Sequence, residues 1–291
     1  MRISQLLRRD GVTFSLEVFP PKTSDKYTQT AAAAKEIAAL KPDFMSVTYG
    51  AGGGTGEFTA SIASEIQSQF GVPTLAHLTC VSSSREYVLG MLKTYREKGI
   101  ENILALRGDR PADGAVSTDY KYAVELIRDI RAHGDFCIGG ACYPEGHVEC
   151  AHKRDDIRHL KEKVDAGLDF LTTQMFFNND IFYNFLYRVR EVGIDIPVIA
   201  GIMPITGARQ LSRSVAMSGT EVPQRFRAIV DCFGDTPAAM KQAGVVYATE
   251  QIIDLIANGV RHIHVYTMNK PEVAASIMAN LSEVLGRGHG A

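Results

Sequence analysis

Three absences in the sequence limit the class of protein before any motif is considered. It has no excess charge of one sign, since 31 Lys and Arg residues stand against 33 Asp and Glu and the basic residues are scattered. This distribution excludes the positively charged surface patch that nucleic-acid-binding proteins use. No apolar run approaches the roughly 18 residues of a membrane span, and residues 1–9 lack the apolar segment of a signal peptide. We therefore expect a soluble, cytoplasmic protein without a nucleic-acid or membrane partner.

Paired cysteines are also missing. The chain has five cysteines, an odd number, and no two of them have CxxC spacing. This usage is typical of reduced thiols in a reducing compartment. No linker, low-complexity segment or second domain can be recognised either, so we expect one domain over residues 1–291, without a regulatory domain.

What the sequence does contain is a regular alternation of strand-like and helix-like segments with 45% hydrophobic residues, enough for one large core. The first seven strands begin about 27 to 35 residues apart, which is the period of βα units and predicts an α/β fold of the (β/α)8 TIM-barrel type. The predicted strands are Thr13–Phe19, Asp43–Tyr49, Pro73–Cys80, Asn102–Leu106, Phe136–Tyr143, Asp169–Met175, Ile196–Met203 and Arg261–Thr267.

Helical periodicity fills the intervals between these strands. The longest interval, between strands seven and eight, predicts extra helices over Gly207–Met217, Pro223–Cys232 and Pro237–Asn258. The other predicted helices are Tyr27–Leu40, Phe58–Phe70, Arg85–Lys98, Tyr120–His133, Asp155–Ala166, Ile181–Val192 and Pro271–Leu285.

Polar and aromatic residues mark the carboxyl ends of nearly all these strands, which is where barrel enzymes carry their catalytic groups. Strand four is the clearest case, because its apolar run stops at Arg107-Gly108-Asp109, a cation and an anion on either side of a glycine. Glycine at that point permits close approach of the backbone to a ligand. A salt-bridged turn is the alternative explanation.

Glu17 is the first candidate catalytic residue. It alternates with Thr13 and Ser15 on one face of strand one, so with the apolar face toward the outer helices it points into the barrel mouth. The apolar and proline residues beside it predict desolvation and a raised pKa, as a general acid needs. The alternative is a structural ion pair with Lys22 or Arg107.

Asp109 and Gln174 are further candidates. Asp109 can accept hydrogen bonds from a heterocycle, or it can be a helix N-cap. Gln174 offers a donor and an acceptor, or it is a buried structural amide. The glycine-rich stretch at residues 50–56 matches neither GxGxxG nor the Walker pattern and predicts only a loop that backbone can approach closely.

Two groups of residues resemble metal ligands. His262 and His264 share the inward face of strand eight and favour core histidines over ligands, because strand six offers Gln174 rather than a further ligand. Cys142, His147 and Cys150, with His152, have irregular spacing that argues against zinc.

An ordered set of motifs along nearly the whole chain resembles methylenetetrahydrofolate reductase. The motifs are Phe14-Ser-Leu-Glu-Val-Phe-Pro-Pro-Lys22, Ser46-Val-Thr-Tyr-Gly-Ala51, Leu106-Arg-Gly-Asp109, Tyr143-Pro-Glu-Gly-His147, Lys163-Val-Asp-Ala-Gly167, Thr173-Gln174, Gly201-Ile-Met-Pro204 and His264-Val-Tyr-Thr-Met-Asn269. The resemblance implies a TIM barrel that binds FAD and reduces 5,10-methylenetetrahydrofolate to 5-methyltetrahydrofolate with NADH or NADPH by a ping-pong scheme. It also implies a role in one-carbon metabolism and methionine supply, a homo-oligomer, and the short bacterial form of the family.

The resemblance further implies roles for individual residues. Glu17 would be the general acid that opens the folate imidazolidine ring, and Asp109 the carboxylate that tunes the flavin and binds folate. Gln174 would contact both folate and nicotinamide, with Gln210, Tyr266 and Lys270 on the folate side. The implied FAD contacts are Thr48, Tyr49, Ala51, His77, Arg107, Gly108, Asp109, Tyr122, Ala123, Tyr143, His147, Asp156 and Lys163.

The sequence departs from the family pattern at four of its positions. His159 and Glu162 stand where relatives often carry an amide and a cation against the adenosine diphosphate part of FAD. Ser214 stands where some relatives have a bulky apolar residue, and Lys270 replaces a frequent arginine, so that a bidentate fork for the folate glutamate is lost. Two other functions are alternatives to the reductase: a metal-assisted hydrolase on the same barrel, and a non-catalytic subunit that binds flavin or folate.

Overall fold

The computed structural model describes residues 1–21, 23–49, 56–110, 119–150 and 152–287. Eight parallel strands close into a barrel in the order of the chain, with the last strand paired to the first. The predicted (β/α)8 fold is therefore confirmed. The strands are β1 (Thr13–Val18), β2 (Phe44–Val47), β3 (Thr74–Thr79), β4 (Asn102–Leu106), β5 (Cys137–Cys142), β6 (Phe170–Thr173), β7 (Val198–Ile202) and β8 (His262–Tyr266).

Helices alternate with the strands, and the three extra helices predicted before strand eight are confirmed. Pro237 and Pro271 each occupy the first turn of a helix, where a missing N–H costs little. The helices are α1 (Ile3–Leu6), α2 (Tyr27–Ala38), α3 (Gly56–Phe70), α4 (Arg85–Glu97), α5 (Ala123–His133), α6 (Lys153–Asp165), α7 (Asn179–Glu191), α8 (Ala208–Ser218), α9 (Gln224–Phe233), α10 (Pro237–Ala257) and α11 (Pro271–Asn280).

The inside of the barrel has an apolar half and a polar half. The amino-terminal half is filled by Phe44, Leu75 and Phe170, together with other inward-facing apolar residues, and α1 closes it from below with Ile3 and Leu6. Above this layer the inward positions carry polar side chains, among them the fully buried Ser15 and Ser46. The apolar half gives stability, and the polar half is left for a ligand at the carboxyl ends of the strands.

The outward faces of the strands pack under the helical ring. Phe14, Leu16 and Val18 of β1 are fully buried in that outer core, which confirms the predicted alternation along the strand. A separate apolar cluster lies under α8, α9 and α10, where Phe226 stacks on Tyr247 with ring centroids 4.2 Å apart. The extra helices therefore have a core of their own beside the carboxyl end of the barrel. Among the described helices, none has the length and apolar character that crossing a membrane requires.

Candidate active site

Glu17 lies at the end of β1, and its carboxylate is held from two neighbouring strands. Oε2 accepts a hydrogen bond from Ser46 Oγ at 3.0 Å and lies 3.4 Å from Nε2 of His264. Nε2 of His264 is also 3.2 Å from Ser46 Oγ. A proton on Nε2 can therefore be donated to Oε2 of Glu17 and to Oγ of Ser46. The side chain of Glu17 keeps 17% of its surface exposed. It therefore lies within the mouth of the barrel, as the alternation along β1 predicted.

The pKa of Glu17 differs from the sequence-based prediction. Burial raises the pKa of the carboxyl, but the hydrogen bond from His264, the nearby His77 and the hydroxyl of Ser46 outweigh burial and place the pKa below its usual value. The predicted upward shift was wrong because the sequence does not reveal the donors on β2, β3 and β8. Burial lowers the pKa of His77 to about 4, so the bonds from His264 and Ser46 are the ones that act at neutral pH.

His77 occupies the third side of this group, on β3. Its Nε2 is 3.6 Å from Oε2 of Glu17, too long for a hydrogen bond, and the nitrogen is buried without a hydrogen-bond partner. Oγ1 of Thr172, an inward residue of β6, is likewise buried without a hydrogen-bond partner. Buried polar atoms usually have partners, so these two inward-facing atoms are candidates for hydrogen bonds to a polar ligand.

Arg107 and Asp109 flank the end of β4. The guanidinium of Arg107 forms a two-point ion pair with Glu149 in the segment after β5, with both N···O distances at 2.7 Å. The alternative in which Arg107 pairs with Glu17 is therefore wrong. Asp109 is exposed, and Arg110 after it is not helical, so Asp109 is not an N-cap either. Gly108 has φ +88°, and a Cβ there would meet Cβ of Thr79 at 3.0 Å, which explains the glycine.

The segment after β5 and helix α6, with Asp156 in its first turn and Lys163 in its last, bring four predicted cofactor contacts to one side of the mouth. Tyr143 and His147 meet edge to face with ring centroids 4.6 Å apart. Nζ of Lys163 donates to the carbonyl of Ala141 at 2.7 Å. Burial raises the pKa of Asp156 and lowers the pKa of Lys163, and each charge partly offsets the shift of the other. The structure thus brings these residues together as a charged, half-buried wall.

The remaining predicted cofactor contacts are more dispersed. Tyr49 is buried, and its hydroxyl lies 2.8 Å from that of Tyr87. The carbonyl of Thr48 accepts a hydrogen bond from Thr59. Tyr122 is exposed at the start of α5, directly before Ala123. Ala51, and with it most of the glycine-rich stretch, lies outside the described residues.

The predicted folate contacts other than Glu17 and Asp109 lie after β6, in α8 and at the end of β8. The side chain of Gln174 folds back so that its Oε1 accepts from N of Met175 at 2.9 Å. Gln210 and Lys270 meet at Thr206: Oε1 of Gln210 accepts from Thr206 N at 3.0 Å, and Nζ of Lys270 donates to Thr206 Oγ1 at 2.6 Å.

Tyr266 crosses the end of the barrel from β8 to β6. Its hydroxyl donates to the carbonyl of Thr173 at 2.5 Å, which is the residue before Gln174. The path passes over Gly201 of β7, where a Cβ would stand 2.6 Å from the hydroxyl. The glycine is required for this crossing, and Tyr266 in turn supports the strand end that presents Gln174.

The positions that depart from the family pattern are solvent-accessible. His159 and Glu162 are exposed on α6, with Nδ1 and Oε2 3.3 Å apart. Ser214 is half-buried on α8, and its carbonyl accepts a hydrogen bond from Ser218.

The two suggested metal sites do not assemble. Within the described ranges no three His, Cys, Asp or Glu side chains are grouped as ligands. Both ring nitrogens of His264 face partners within the barrel, because Nδ1 is 2.8 Å from Ser15 Oγ and Nε2 faces Ser46 and Glu17. The thiol of Cys150 donates to the carbonyl of His152 at 3.3 Å.

Sequence reasoning missed several partners of the predicted residues. Ser15, Ser46 and His264 have the inward parity on their strands, and that signal was available, but the pairing of β1 with both β2 and β8 was needed to bring them to Glu17. No local pattern indicated Glu149 as the partner of Arg107. Asn269 was part of a motif without an assigned role, and it bonds to the main chain beside Glu17.

This architecture, a closed barrel with an acid, histidines and charged residues at the carboxyl ends of its strands, defines an enzyme of the TIM-barrel class. A family model described as methylenetetrahydrofolate reductase matches residues 2–282. The chain belongs to the methylenetetrahydrofolate reductase family.

Individual relatives agree with the family model. The 5,10-methylenetetrahydrofolate reductase of Pectobacterium carotovorum is 35% identical over 279 residues, covering 96% of this chain and 92% of that protein. Methylenetetrahydrofolate reductase 1 of Schizosaccharomyces pombe is 40% identical, covering 94% of this chain and 46% of the relative. The chain thus spans about half the length of the eukaryotic relatives it matches. The metal-assisted hydrolase considered from the sequence has no support in these relatives.

Among solved structures, an uncharacterized protein from Clostridium thermocellum that binds two copies of 5-methyl-5,6,7,8-tetrahydrofolic acid superimposes with a TM-score of 0.64. The alignment covers 98% of this chain and 99% of that one at 15% identity. At that identity the likeness concerns the fold alone.

Proposed function

We propose that this chain, as a single catalytic domain, reduces 5,10-methylenetetrahydrofolate to 5-methyltetrahydrofolate, with hydride from NADH or NADPH passing through FAD in a ping-pong scheme. The observation that carries the proposal is Glu17, a carboxyl held by Ser46 and His264 inside the barrel mouth in a chain of this family.

The residues around the mouth fit a flavin with a diphosphate tail. Arg107, Lys163 and His147 supply cationic or donor groups on one side, and Tyr143 supplies an aromatic surface there. The unpaired Nε2 of His77 is a buried donor or acceptor available to a ligand. Guanidinium and ammonium groups are suited to phosphate oxygens. When bound, FAD would accept hydride from the nicotinamide and deliver it to the folate.

Glu17 is assigned the proton donated to folate as the imidazolidine ring opens. In the open mouth its pKa is held low by His264 and Ser46. A substrate that covers the mouth would exclude water from the exposed part of the carboxyl, and desolvation shifts a carboxyl pKa upward. That shift is in the direction that a proton donor needs, and the bond to His264 keeps the carboxyl in position.

Three further groups are assigned to substrate recognition. Gln174 can exchange its bond to N of Met175 for bonds to folate or to nicotinamide. In the ping-pong scheme these two molecules occupy the same site one after the other. Asp109, exposed at the mouth, accepts hydrogen bonds from the pterin ring. Lys270, now on Thr206, is assigned with Gln210 to the folate tail, where it supplies a single point charge rather than a fork.

An anaerobic visible spectrum of the purified protein supplied with FAD tests the proposal. Bleaching of the flavin band by NADH or NADPH, and its return on adding methylenetetrahydrofolate, are the expected results. Binding of FAD without either change would favour the non-catalytic subunit, and failure to hold FAD would overturn the flavin-dependent mechanism.

A further inference from the structure

Arg107 has all three guanidinium nitrogens engaged by groups of the protein itself. Nη1 donates to Oε2 of Glu149 and Nη2 to Oε1, each at 2.7 Å. Nε donates to the carbonyl of Gly108 at 3.2 Å. Glu149 thus takes the two-point position of Arg107, the geometry in which a guanidinium also binds phosphate.

The two partners differ in how firmly they are enclosed. The side chain of Arg107 is 17% exposed and that of Glu149 is 43% exposed. The main chain of Arg107 is fixed as well, because its carbonyl accepts from N of Cys80 and N of Val81 at 3.1 and 2.7 Å. Arg107 is therefore the fixed member of the pair, and Glu149 is the member that can leave toward solvent.

Several charges act on Glu149 in this position. The hydrogen bonds from Arg107 lower the pKa of its carboxyl to about 2, and Nε of Arg110 lies 3.8 Å from Oε2. The amide N–H of Glu149 donates to Nδ1 of His147 at 3.1 Å. Glu149 is therefore ionised at neutral pH, and it is the carboxylate that bonds directly to the guanidinium of Arg107, whose pKa Asp109 also raises through its charge.

We propose that Glu149 is a stand-in anion on Arg107 that a phosphate-bearing flavin displaces on binding, so that Glu149 sets the affinity for that flavin. The inference rests on the proposed function, because it takes Arg107 as a contact of the cofactor diphosphate. A carboxylate and a phosphate cannot occupy the same fork at once. The free energy of the Arg107–Glu149 pair is therefore subtracted from the free energy of cofactor binding.

An orienting role for Glu149 makes the opposite prediction. If Glu149 only held Arg107 in place for the cofactor, removing its charge would weaken flavin binding. If it were a surface ion pair unrelated to the cofactor, removing its charge would leave flavin binding unchanged, since exposed pairs contribute little. The direction of the change in affinity distinguishes the three cases.

The experiment measures FAD binding by flavin fluorescence with purified wild type and Glu149→Gln, and FAD release by dilution. We expect the variant to bind FAD about threefold tighter or more and to release it more slowly, which corresponds to the free energy of a partly exposed pair. Riboflavin, which lacks phosphate, should show no gain. Glu250→Gln is the matched control, because Glu250 forms a similar two-point pair with Arg225 between α10 and α9.

Unchanged or weaker FAD binding by Glu149→Gln would overturn the inference while leaving the proposed function in place. An equal gain for riboflavin, or an equal gain in Glu250→Gln, would overturn it as well. Absence of FAD binding to the wild type would instead count against the flavin-dependent function, and the stand-in role would fail with it.

Discussion

The side-chain amide of Asn269 bonds to the main chain of Phe19 in both directions. Its Oδ1 accepts from N of Phe19 and its Nδ2 donates to O of Phe19, each at 2.9 Å. Met268 and Asn269 have left-handed backbone, with φ 55° and 53°. Oγ1 of Thr267 donates to the carbonyl of Glu17 at 2.5 Å. The turn after β8 therefore holds the end of β1 on both sides of Val18, next to the proposed proton donor.

Replacing Asn269 with Ala should destabilise the protein by about 1–2 kcal/mol, since both bonds are lost and Ala tolerates the left-handed backbone less well than Asn. Turnover should fall as well, because the backbone of Glu17 loses its support. Asn269→Gly is the matched variant: it also loses the bonds but suits the backbone. Urea denaturation should rank wild type above Gly and Gly above Ala. Equal stability of wild type and the two variants would show that the bonds between Asn269 and Phe19 do not stabilise the protein.

Glu17→Gln keeps the shape of the side chain and removes the acid. We expect reduction of bound flavin by nicotinamide to persist, because that half-reaction needs no proton from Glu17. The folate half-reaction should slow by about a hundredfold or more, the usual contribution of a general acid. Rapid-mixing absorbance of the flavin measures each half-reaction separately. Equal loss in both would show that Glu17 has a structural role instead.

Gly201→Ala places a methyl group 2.4 Å from the carbonyl oxygen of Thr173 and 2.6 Å from the hydroxyl of Tyr266. Overpacking of this kind typically costs about 1–3 kcal/mol of stability. Adding Tyr266→Phe should recover part of the loss, because it removes the contact with the hydroxyl and leaves those with the Thr173 carbonyl and with Cε2 of the ring, at 2.9 Å. Gly90→Ala in α4 is the control, since a Cβ there meets nothing within 4 Å. Thermal melts of wild type, Gly201→Ala, Tyr266→Phe, the double variant and Gly90→Ala test this prediction, and additive effects of Gly201→Ala and Tyr266→Phe would contradict it.

Acidification should destabilise the protein through His77. Burial lowers its folded pKa to about 4 from a usual value of 6.5, so the unfolded chain binds the proton first. Stability is then complete above pH 6.5 and falls as pH decreases toward 4, by on the order of 3 kcal/mol. Urea unfolding across this range should show a shallower dependence for His77→Gln. Glu17, whose pKa is lowered, loses its contribution only below the usual carboxyl range. An identical slope in both proteins would contradict the assignment.

The order of the elements could be predicted because it depends on local periodicity. Alternation of apolar residues along β1 placed Phe14 and Leu16 outward and Glu17 inward, and the structure has the same arrangement. Pro237 and Pro271 placed the starts of α10 and α11, and the predicted end of α10 was wrong by one residue, but α11 ends at Asn280, five residues before the predicted Leu285. A barrel is then expected because eight successive βα units bury both faces of their strands when the sheet closes on itself inside a ring of helices.

The partners of the site residues could not be predicted in the same way. Arg107 and Glu149 are 42 residues apart in sequence, and Glu17 and His264 are 247 apart. The sequence by itself determined which side chains point into the barrel mouth, because that depends on the two-residue repeat of a strand. Only the tertiary structure decided which of them touch and which way the pKa of Glu17 shifts, because closing the barrel sets β8 against β1 and hydrogen bonds act only at contact distance.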